Sequence, residues 1–412
     1  MLLFDKLLIR ACIKKQYNLM MSSLPEKISI LGATGSIGKN TLDVISHLGG
    51  MHNFDIVALT GMSNISLLSE QAKAFNAKFV VTADETKYRE LKDALSGSGI
   101  EVAAGNDALI EAGKRDADWV MAGIIGMAGL APTIAAAERG ADIALANKEC
   151  LVSAGALFKS IVAKGGGKLL PVDSEHSAIF QVLNHDQHSS IDKIILTASG
   201  GPYRNFTRDQ MENVCAKSAA NHPKWSMGTK ISIDSASMFN KALEMIEARH
   251  LFDVTPDQID VVVHPQSIIH SLVSYCDGSV LAQLGMPDMR TAIGYALTFP
   301  NRADLPVEKL DLVKLSRLDF EAPDEERFPA IRLARNAMES GGLLGAILNA
   351  SKEIALDAFI AEKVGFLQMA DIVENTMDHM SGYSTKDVTI DTIYDADVTA
   401  REYASQFIND LA

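Results

Sequence analysis

The chain has 412 residues, of which 47% are hydrophobic and 22% are charged, and its formal net charge is -14. These values are ordinary for a globular protein, and the length allows two or three domains of roughly 100–200 residues each. The negative charge disfavours nucleic acid and anionic membranes as partners, because no local basic patch offsets it. An anionic substrate must therefore be held by a few placed groups.

The segment Met1–Ser23 is an N-terminal extension that mixes leucines with charged residues. It lacks the apolar stretch and cleavage site of a secretory signal. No apolar run in the chain reaches the ~18 residues that span a bilayer. An amphipathic tail, a start at Met20 or Met21, and an organelle presequence all stay open. The four cysteines have no metal-ligand spacing, and we expect reduced, mostly buried thiols in a cytoplasmic protein.

Between residues 24 and 172, short apolar strands alternate with amphipathic helices. This alternation predicts βαβ units with right-handed crossovers, and hence a Rossmann-like, doubly wound parallel sheet. The predicted strands are Lys27–Leu31, Asp55–Leu59, Phe79–Val81, Trp119–Met121, Asp142–Ala146 and Lys168–Val172. Helices are predicted between them, among others at Ile37–Leu48, Leu130–Arg139 and Leu151–Ala163.

Residues 173–300 differ in pattern and predict a second, α+β catalytic domain with its own sheet. Its strands are expected at Ile191–Thr197, Ile259–Val263, Ile268–Tyr275 and Ser279–Leu284, with a helix at Phe239–His250. Residues 301–329 predict a loop-rich linker. Residues 330–412 predict a C-terminal helical domain, in which Leu343–Ala361 has the apolar spacing of a core-facing helix.

A glycine-rich turn, Gly32-Ala33-Thr34-Gly35-Ser36-Ile37-Gly38, follows the first predicted strand and opens a helix. In a βαβ context this pattern favours a dinucleotide, because the glycines admit a pyrophosphate and the helix N-terminus supplies N–H groups. The alternative is an ordinary tight turn. The second predicted strand is followed by Ser63 and Asn64, not by an acid, which favours NADP over NAD, although no cation is nearby.

Three carboxylates form a candidate metal site. Asp173 and Glu175 stand two apart after a predicted strand, and residues at that spacing face the same way in extended backbone. Hard carboxylates suit Mg²⁺ or Mn²⁺. Glu244 lies three residues after Lys241 on a predicted helix, so the two share a face. The alternatives are a solvated acidic loop and a surface ion pair, but the polar residues before Lys241 favour a site.

Three further polar segments are candidates for substrate contacts. Asn147-Lys148-Glu149 follows a strand at the same sheet edge, where a lysine can polarise a carbonyl. Ser199-Gly200-Gly201-Pro202 can cradle an oxyanion or be a plain loop. The segment from His222 to Gly228 is typical of a mobile lid with Trp225 as its cover, unless Trp225 only packs against a neighbouring domain. His264 and His270 have the wrong spacing for a metal pair and are expected to be structural.

These residues together resemble the 1-deoxy-D-xylulose 5-phosphate reductoisomerase family from about Lys27 to the C-terminus. The blocks that carry the resemblance, in family order, are GATGSIG, ALANKE, PVDSEHSAIFQ, ASGGPYR, HPKWSMGTKISIDSASMFNKALEMIEA, VHPQSIIHSLV and GMPDMR. Two features depart from the family: Ser63 stands where members often have a lysine near the NADP 2′-phosphate, and Met1–Ser23 has no counterpart.

The resemblance implies a role for each group of residues. It implies that NADPH is held by Thr34, Gly35, Ser36, Ile37, Asn64, Asn147, Glu149 and Gly228. The metal, Mn²⁺, Mg²⁺ or Co²⁺, would be bound by Asp173, Glu175 and Glu244. The substrate would be contacted by Lys148, Ser174, Glu175, Ser199, His222, Trp225, Ser235, Asn240, Lys241 and Glu244, with Ser199, Ser235, Asn240 and Lys241 on its phosphate. The catalytic residues would be Lys148, Glu175, His222 and Lys241.

The resemblance also implies a reaction and an assembly. The reaction is the metal-assisted rearrangement of 1-deoxy-D-xylulose 5-phosphate and its reduction by NADPH to 2-C-methyl-D-erythritol 4-phosphate. The assembly is a homodimer built from the sheet of the second domain.

Two other functions stay in view: a phosphosugar aldolase or isomerase without redox chemistry, and a nucleotide-sensing regulatory protein. The first would not need the glycine turn, and the second would leave the carboxylates unexplained.

Overall fold

The computed structural model describes residues 27–225 and 228–411, so the extension Met1–Ser23 and the lid residues Ser226 and Met227 lie outside the described residues. The described chain divides into two compact units. The first comprises the described residues up to Asn147, Ile161–Val172 and Asp288–Val307, and the second comprises Lys148–Ser160, Asp173–Pro287 and the residues from Glu308 onward.

The first unit is built on a seven-stranded parallel sheet. Its strands are β1 (Lys27–Leu31), β2 (Asp55–Gly61), β3 (Phe79–Thr82), β4 (Glu101–Ala104), β5 (Trp119–Ala122), β6 (Asp142–Leu145) and β7 (Leu169–Pro171). Their order is β4-β3-β2-β1-β5-β6-β7, and every pair is parallel. The chain moves outward from β1 to β4 and then returns to β5 on the other side of β1. The strand order therefore reverses between β1 and β5, which is where such sheets bind ligands.

The helices of the first unit cover a sheet whose central strands are apolar on both faces. They are α1 (Ser36–His47), α2 (Ile65–Ala74), α3 (Tyr88–Ala94), α4 (Asn106–Lys114), α5 (Leu130–Glu138) and the end of α6 (Glu149–Gly165). Ile28, Ile30 and Leu31 of β1 are fully buried, as expected for a parallel strand with helices on both sides. Trp119 of β5 is 1% exposed, and its Nε1 donates to the carbonyl of Ala296 at 3.3 Å.

The second unit contains a four-stranded mixed sheet. Its strands are β8 (Ile191–Ala198), β9 (Ile259–Val263), β10 (Ile269–Tyr275) and β11 (Val280–Leu284), in the order β11-β10-β8-β9. Strands β8 and β9 are parallel, whereas β10 is antiparallel to both of its neighbours. At the β9 edge, Val263 and Glu321 form an isolated antiparallel bridge. At the other edge, β11 exposes apolar side chains.

The remaining helices follow in chain order. They are α7 (Ser174–Val182), α8 (Arg208–Met211), α9 (Ala216–Ala219), α10 (Thr229–Ala236), α11 (Phe239–Phe252), α12 (Met289–Thr298) in the first unit, α13 (Leu312–Leu315), α14 (Ala330–Ser340), α15 (Leu344–Ile360), α16 (Gln368–His379) and α17 (Ile390–Leu411). Helix α15 packs against α14, α16 and α17, and most of its residues from Leu344 to Phe359 are buried. None of the helices in the described ranges is long and apolar enough to cross a membrane.

The structure confirms the predicted fold class, and the predicted strands agree with the observed ones to within two residues at each end. Strand β4 was not predicted, because Glu101–Ala104 is a short edge strand in which no residue is fully buried. The expectation of mostly buried thiols was wrong: Cys150 is buried, whereas Cys215 and Cys276 are exposed. The fourth cysteine, Cys12, lies outside the described residues.

Candidate active site

The glycine turn after β1 has a backbone that only glycine can supply at two positions. Gly32 has φ 93, and a Cβ on it would lie 2.7 Å from the carbonyl oxygen of Gly123, which follows β5. A Cβ on Gly38 would lie 2.4 Å from the Cα of Ala33. Gly35 caps the N-terminus of α1 without a side chain. The turn therefore leaves the first backbone N–H groups of α1 open to an anion at the β1/β5 reversal.

The other predicted cofactor residues of the first unit lie on nearby loops. Gly35 and Ser36 are exposed, and Thr34 and Ile37 are half-buried. Asn64 caps α2, because its side chain accepts the N–H of Leu67 at 3.2 Å.

Asn147 is 2% exposed and ties down the loop after β5. Its Nδ2 donates to the carbonyl of Gly126 at 3.0 Å and also to that of Ile124. Its side chain therefore fixes a loop at the sheet edge, and direct contact with a cofactor stays a prediction. Glu149 and Gly228 belong to the second unit, where Glu149 is buried and Gly228 caps α10.

The three predicted metal ligands come together in the second unit. Oxygen atoms of Asp173, Glu175 and Glu244 lie within 4.8 Å of one another. The reason given for pairing Asp173 with Glu175 was wrong, because the backbone between them is not a strand. Asp173 caps the N-terminus of α7, and its Oδ1 accepts the N–H of Glu175 at 3.3 Å. The cap brings both carboxylates to the start of one helix, opposite Glu244 on α11.

Two buried lysines contact these carboxylates. Lys148 Nζ lies 2.5 Å from Asp173 Oδ2 and 3.1 Å from Glu244 Oε1. Lys241 Nζ lies 3.0 Å from Glu175 Oε1 and also contacts Glu244 Oε2. Burial alone would lower the pKa of Lys148, but the carboxylates of Asp173 and Glu244 raise it well above its usual value. The carboxylates of Glu175 and Glu244 likewise raise the pKa of Lys241 against the effect of burial, so both ammonium groups are charged and the site holds a compact set of opposite charges.

The carboxylates of the site titrate differently because their surroundings differ. Burial raises the pKa of Glu244, and the nearby Glu175 carboxylate raises it further. Burial alone would also raise the pKa of Asp173, but the Lys148 ammonium and His176 hold that pKa well below its usual value. Asp173 is thus an anion throughout the physiological range. The ammonium groups of Lys148 and Lys241 oppose the rise in the pKa of Glu244, and a bound metal ion beside Glu244 would favour its ionised form in the same way.

His176 and Glu247 form a second layer behind these residues, for which no role was predicted from the sequence. His176 Nδ1 lies 3.1 Å from Glu247 Oε2 and 3.6 Å from Asp173 Oδ1, while its Nε2 donates to the backbone carbonyl of Glu244 at 2.9 Å. Burial would lower the pKa of His176, but the two carboxylates raise it to about 9. The imidazolium therefore links Asp173 to α11. The available signal was spacing: His176 is three residues after Asp173, and Glu247 is three after Glu244.

The predicted phosphate residues Ser199 and Ser235 lie on two segments that touch each other. A Cβ on Gly201 would lie 3.1 Å from the carbonyl oxygen of Ser235, so the glycine turn after β8 touches the end of α10. Gly200 and Gly201 have φ 79 and 64, which explains the glycines. Asn240 accepts from Lys148 Nζ at 2.8 Å, and Ser174 Oγ donates to Glu175 at 2.5 Å. Asn240 and Ser174 therefore border the carboxylate cluster.

His222 joins the lid to Ser199. Its Nδ1 accepts the backbone N–H groups of Lys224 and Trp225 at 3.2 and 2.9 Å, and its Nε2 lies 2.8 Å from Ser199 Oγ. Burial lowers the pKa of His222, so the ring is neutral and its single proton is on Nε2, which donates to Ser199. Ser199 Oγ also accepts the N–H of Gly201 at 3.2 Å. Its own hydroxyl proton can therefore be given to an anion.

Trp225, the predicted cover, lies beside His270 of β10, with ring centroids 6.1 Å apart and tilted by 57°. It is half-buried. Its role as a cover stays a prediction. His264 is fully buried and His270 is 8% exposed, and His264 Nδ1 lies 2.9 Å from the carbonyl oxygen of Asp319. Neither belongs to the groups of described residues that could hold a metal, and their structural role stays a prediction.

A glycine turn at the reversal point of one sheet, together with a carboxylate and lysine cluster in the second unit, defines the class: a metal-dependent oxidoreductase linked to a dinucleotide. Three family profiles match: 1-deoxy-D-xylulose 5-phosphate reductoisomerase over residues 28–155, its C-terminal domain over residues 169–252, and the DXP reductoisomerase C-terminal domain over residues 284–403. The chain belongs to the 1-deoxy-D-xylulose 5-phosphate reductoisomerase family.

Individual relatives agree with the family profiles. The chain is 66% identical to the 1-deoxy-D-xylulose 5-phosphate reductoisomerase of Sinorhizobium fredii, over 93% of this chain and 97% of the relative. The reductoisomerase of Rhizobium meliloti is also 66% identical, over 93% of this chain and 98% of the relative.

Solved structures are similar over the same length. The reductoisomerase of Zymomonas mobilis in complex with NADPH has a TM-score of 0.87 and 48% identity, and the match covers 93% of this chain and 99% of that one. A DOX-P reductoisomerase in complex with NADPH, fosmidomycin and magnesium has a TM-score of 0.90 and 42% identity, with coverage of 94% and 99%.

Proposed function

We propose that the carboxylate cluster and the glycine turn carry out the reaction of this family. The chain is an NADP-dependent oxidoreductase that rearranges and reduces 1-deoxy-D-xylulose 5-phosphate to 2-C-methyl-D-erythritol 4-phosphate, in the non-mevalonate route to isoprenoid precursors. The observation that carries the proposal is the meeting of Asp173, Glu175 and Glu244 within 4.8 Å. Related structures in complex with NADPH and magnesium support the same cofactors.

The donor set fits a hard divalent cation. Three carboxylates with closely spaced oxygens are the ligands that Mg²⁺ and Mn²⁺ prefer, and Co²⁺ accepts them as well. Asp173, Glu175 and Glu244 would hold the ion. When bound, the metal supplies Lewis-acid stabilisation of the negative charge that develops on substrate oxygens.

Residues around the cluster orient the substrate. Lys148 reaches Asp173, Glu244 and Asn240 from one side, so its N–H groups point into the polar centre. We assign Lys148, Ser174 and His222 to the hydroxyl and carbonyl oxygens of the substrate. Glu175 and Lys241, 3.0 Å apart, form a carboxylate and ammonium pair that can take up and return a proton at a substrate oxygen.

The phosphate group is assigned to Ser199, Ser235, Asn240 and Lys241. The chain is acidic overall, so a phosphate must be held by local donors and not by the general field. Ser199 supports this assignment, because both its acceptor contacts are internal and its hydroxyl proton is left for an anion. His222 fixes that orientation while holding the lid backbone, and Trp225 would close over the substrate and exclude water.

NADPH is assigned to the turn at Thr34, Gly35, Ser36 and Ile37, with Asn64, Asn147, Glu149 and Gly228 as further contacts. The open N-terminus of α1 supports a bound pyrophosphate. Asn64 caps α2 at the end of β2, where the 2′-phosphate or 2′-hydroxyl of the adenosine ribose binds in this type of fold.

We also infer a homodimer, formed through the sheet of the second unit. Strand β11 is an edge strand, and Val280, Leu281 and Leu284 are 51%, 47% and 37% exposed. An apolar edge of this kind invites pairing with another chain. Leu281→Glu should lower the molar mass in solution towards that of the monomer, whereas Met51→Glu, at an exposed site of the first unit, should leave it unchanged. An unchanged mass for Leu281→Glu would contradict this interface.

A cytoplasmic location and the domain boundaries 24–172, 173–300, 301–329 and 330–412 are retained as proposals.

The function itself is tested by supplying 1-deoxy-D-xylulose 5-phosphate, NADPH and Mn²⁺ and identifying the product. We expect one NADPH to be consumed for each product molecule. Conversion of the sugar phosphate without NADPH consumption would instead indicate an aldolase or isomerase. NADPH binding without any conversion would favour a nucleotide sensor.

A further inference from the structure

Helices α10 and α15 of the second unit are joined by a buried ion pair that has no part in the proposed chemistry. Lys352 Nζ on α15 lies 2.9 Å from Asp234 Oδ2 on α10, and the residues are 4% and 8% exposed. Burial alone would lower the pKa of Lys352, but Asp234 and Glu149 raise it above its usual value. Lys352 is thus a charged group inside the protein, and removing either partner of such a buried pair leaves an uncompensated charge.

The helix held by this pair carries part of the proposed phosphate site. Asp234 directly precedes Ser235, near the C-terminal end of α10. A Cβ on Gly201 would lie 2.8 Å from the Cα of Ala236, so the turn that contains Ser199 rests on the same end of the helix. A shift of α10 would therefore change the distance between the two serines.

The lid and α11 are tied to the same helix. Gly228, the last residue of the lid segment, caps the N-terminus of α10. Met238, with φ 64, connects α10 to α11, on which Asn240 and Lys241 lie. All the groups assigned to the phosphate therefore stand on α10 or on a segment that adjoins it.

We propose that Lys352 is a positioning residue for the substrate phosphate: its ion pair with Asp234 fixes α10 so that Ser235 and Ser199 stay at the spacing that the phosphate requires. Lys352 acts through Asp234 and the helix, not by touching the substrate. The inference rests on the proposed function, because it takes the phosphate site as given.

A second ion pair on the same two helices provides a matched control. Lys230 Nζ on α10 lies 2.5 Å from Asp357 Oδ1 on α15, but the two side chains are 61% and 54% exposed. Solvent screens such a pair, and removing it should change the stability of the protein little. The two pairs join the same helices and differ mainly in burial, so they separate a buried tether from a general charge contact.

The test compares Lys352→Met, Asp234→Asn, their double variant and Lys230→Met. For each of the first three we expect the KM for 1-deoxy-D-xylulose 5-phosphate and the Ki for inorganic phosphate to rise about tenfold, with kcat reduced less than about threefold. The double variant should show no further loss, because both changes remove one contact. It also removes both charges of the Lys352–Asp234 pair together, so it avoids the unpaired partner that each single variant leaves and is the variant to use if a single variant fails to fold. Asp234→Asn should keep its KM for NADPH, and Lys230→Met should resemble the wild type.

Unchanged KM and Ki values, with or without a lower melting temperature, would overturn the inference, and so would additive losses in the double variant. Failure of the proposed function would be distinguishable, because the wild-type chain itself would then not turn over 1-deoxy-D-xylulose 5-phosphate.

Discussion

Glu244 is the most buried carboxylate of the candidate metal centre, and glutamine in its place removes a charge with little change of shape. Its side chain is 1% exposed. In Glu244→Gln, Lys148 keeps Asp173 at 2.5 Å and Lys241 keeps Glu175 at 3.0 Å. Each buried lysine therefore retains a carboxylate partner, and we expect the variant to fold.

The expected effect of Glu244→Gln on stability is smaller than its expected effect on turnover. Because each lysine loses one of its two carboxylate partners and keeps the other, the free energy of unfolding should fall by about 1–3 kcal/mol, and not by the ~3–5 kcal/mol that follows when a buried charge has no partner. A Lewis-acid metal contributes several kcal/mol to catalysis, and ~4 kcal/mol corresponds to roughly a thousandfold in rate. Turnover should therefore be almost abolished while the protein stays folded.

The assay is NADPH consumption with 1-deoxy-D-xylulose 5-phosphate at saturating Mn²⁺, together with NADPH binding by fluorescence quenching. We expect Glu244→Gln to lose turnover and to bind NADPH nearly as the wild type does, because Glu244 and the glycine turn belong to different units. Glu339→Gln, an exposed change on α14, is the control and should be fully active. Near-normal turnover of Glu244→Gln at saturating Mn²⁺ would refute the three-carboxylate centre.

Three further predictions address the cofactor, the lid and the pH dependence of stability. The ratio kcat/KM should favour NADPH over NADH, by a modest factor because Ser63 offers no cation to the 2′-phosphate; a clear preference for NADH would contradict it. Trp225→Ala should raise the substrate KM and lower kcat with little change in Tm, whereas a lower Tm with unchanged kinetics would mean that Trp225 only packs on His270. Burial and nearby cations lower the pKa of His250 from 6.5 to about 4. The unfolded chain binds that proton near pH 6.5, so the contribution to stability is complete above this pH and is lost as the pH falls, by about 2 kcal/mol at ~pH 5. Urea unfolding of His250→Gln should lack this part of the pH dependence, and an identical pH profile would contradict the assignment.

The sheet of the first unit could be predicted well because its strands are short apolar runs between helices. Periodicity reports burial, and residues 28–31 and Trp119–Ala122 are buried on both faces of the sheet. Strand β4 was not predicted from the sequence, because Glu101–Ala104 lies at the edge of the sheet and is partly exposed. A strand that buries little leaves little pattern in the sequence.

The grouping of the three carboxylates Asp173, Glu175 and Glu244 could be predicted from the sequence, but the geometry that brings them together could not. Asp173 and Glu175 were paired for the wrong reason, since a helix cap and not a strand brings them together. The contacts of Lys148 with Glu244, and of His176 with Glu247, join residues that are far apart in sequence. Such contacts depend on how helices pack, and no local pattern encodes that packing.

The most direct measurement is the rate of NADPH consumption with 1-deoxy-D-xylulose 5-phosphate before and after a chelator, followed by addition of Mn²⁺. If Asp173, Glu175 and Glu244 form a catalytic metal centre, the rate should fall to background with the chelator and return with Mn²⁺, while NADPH binding persists throughout. A rate that survives complete metal removal would contradict the metal centre, and a substrate that disappears without NADPH consumption would contradict the reductive step.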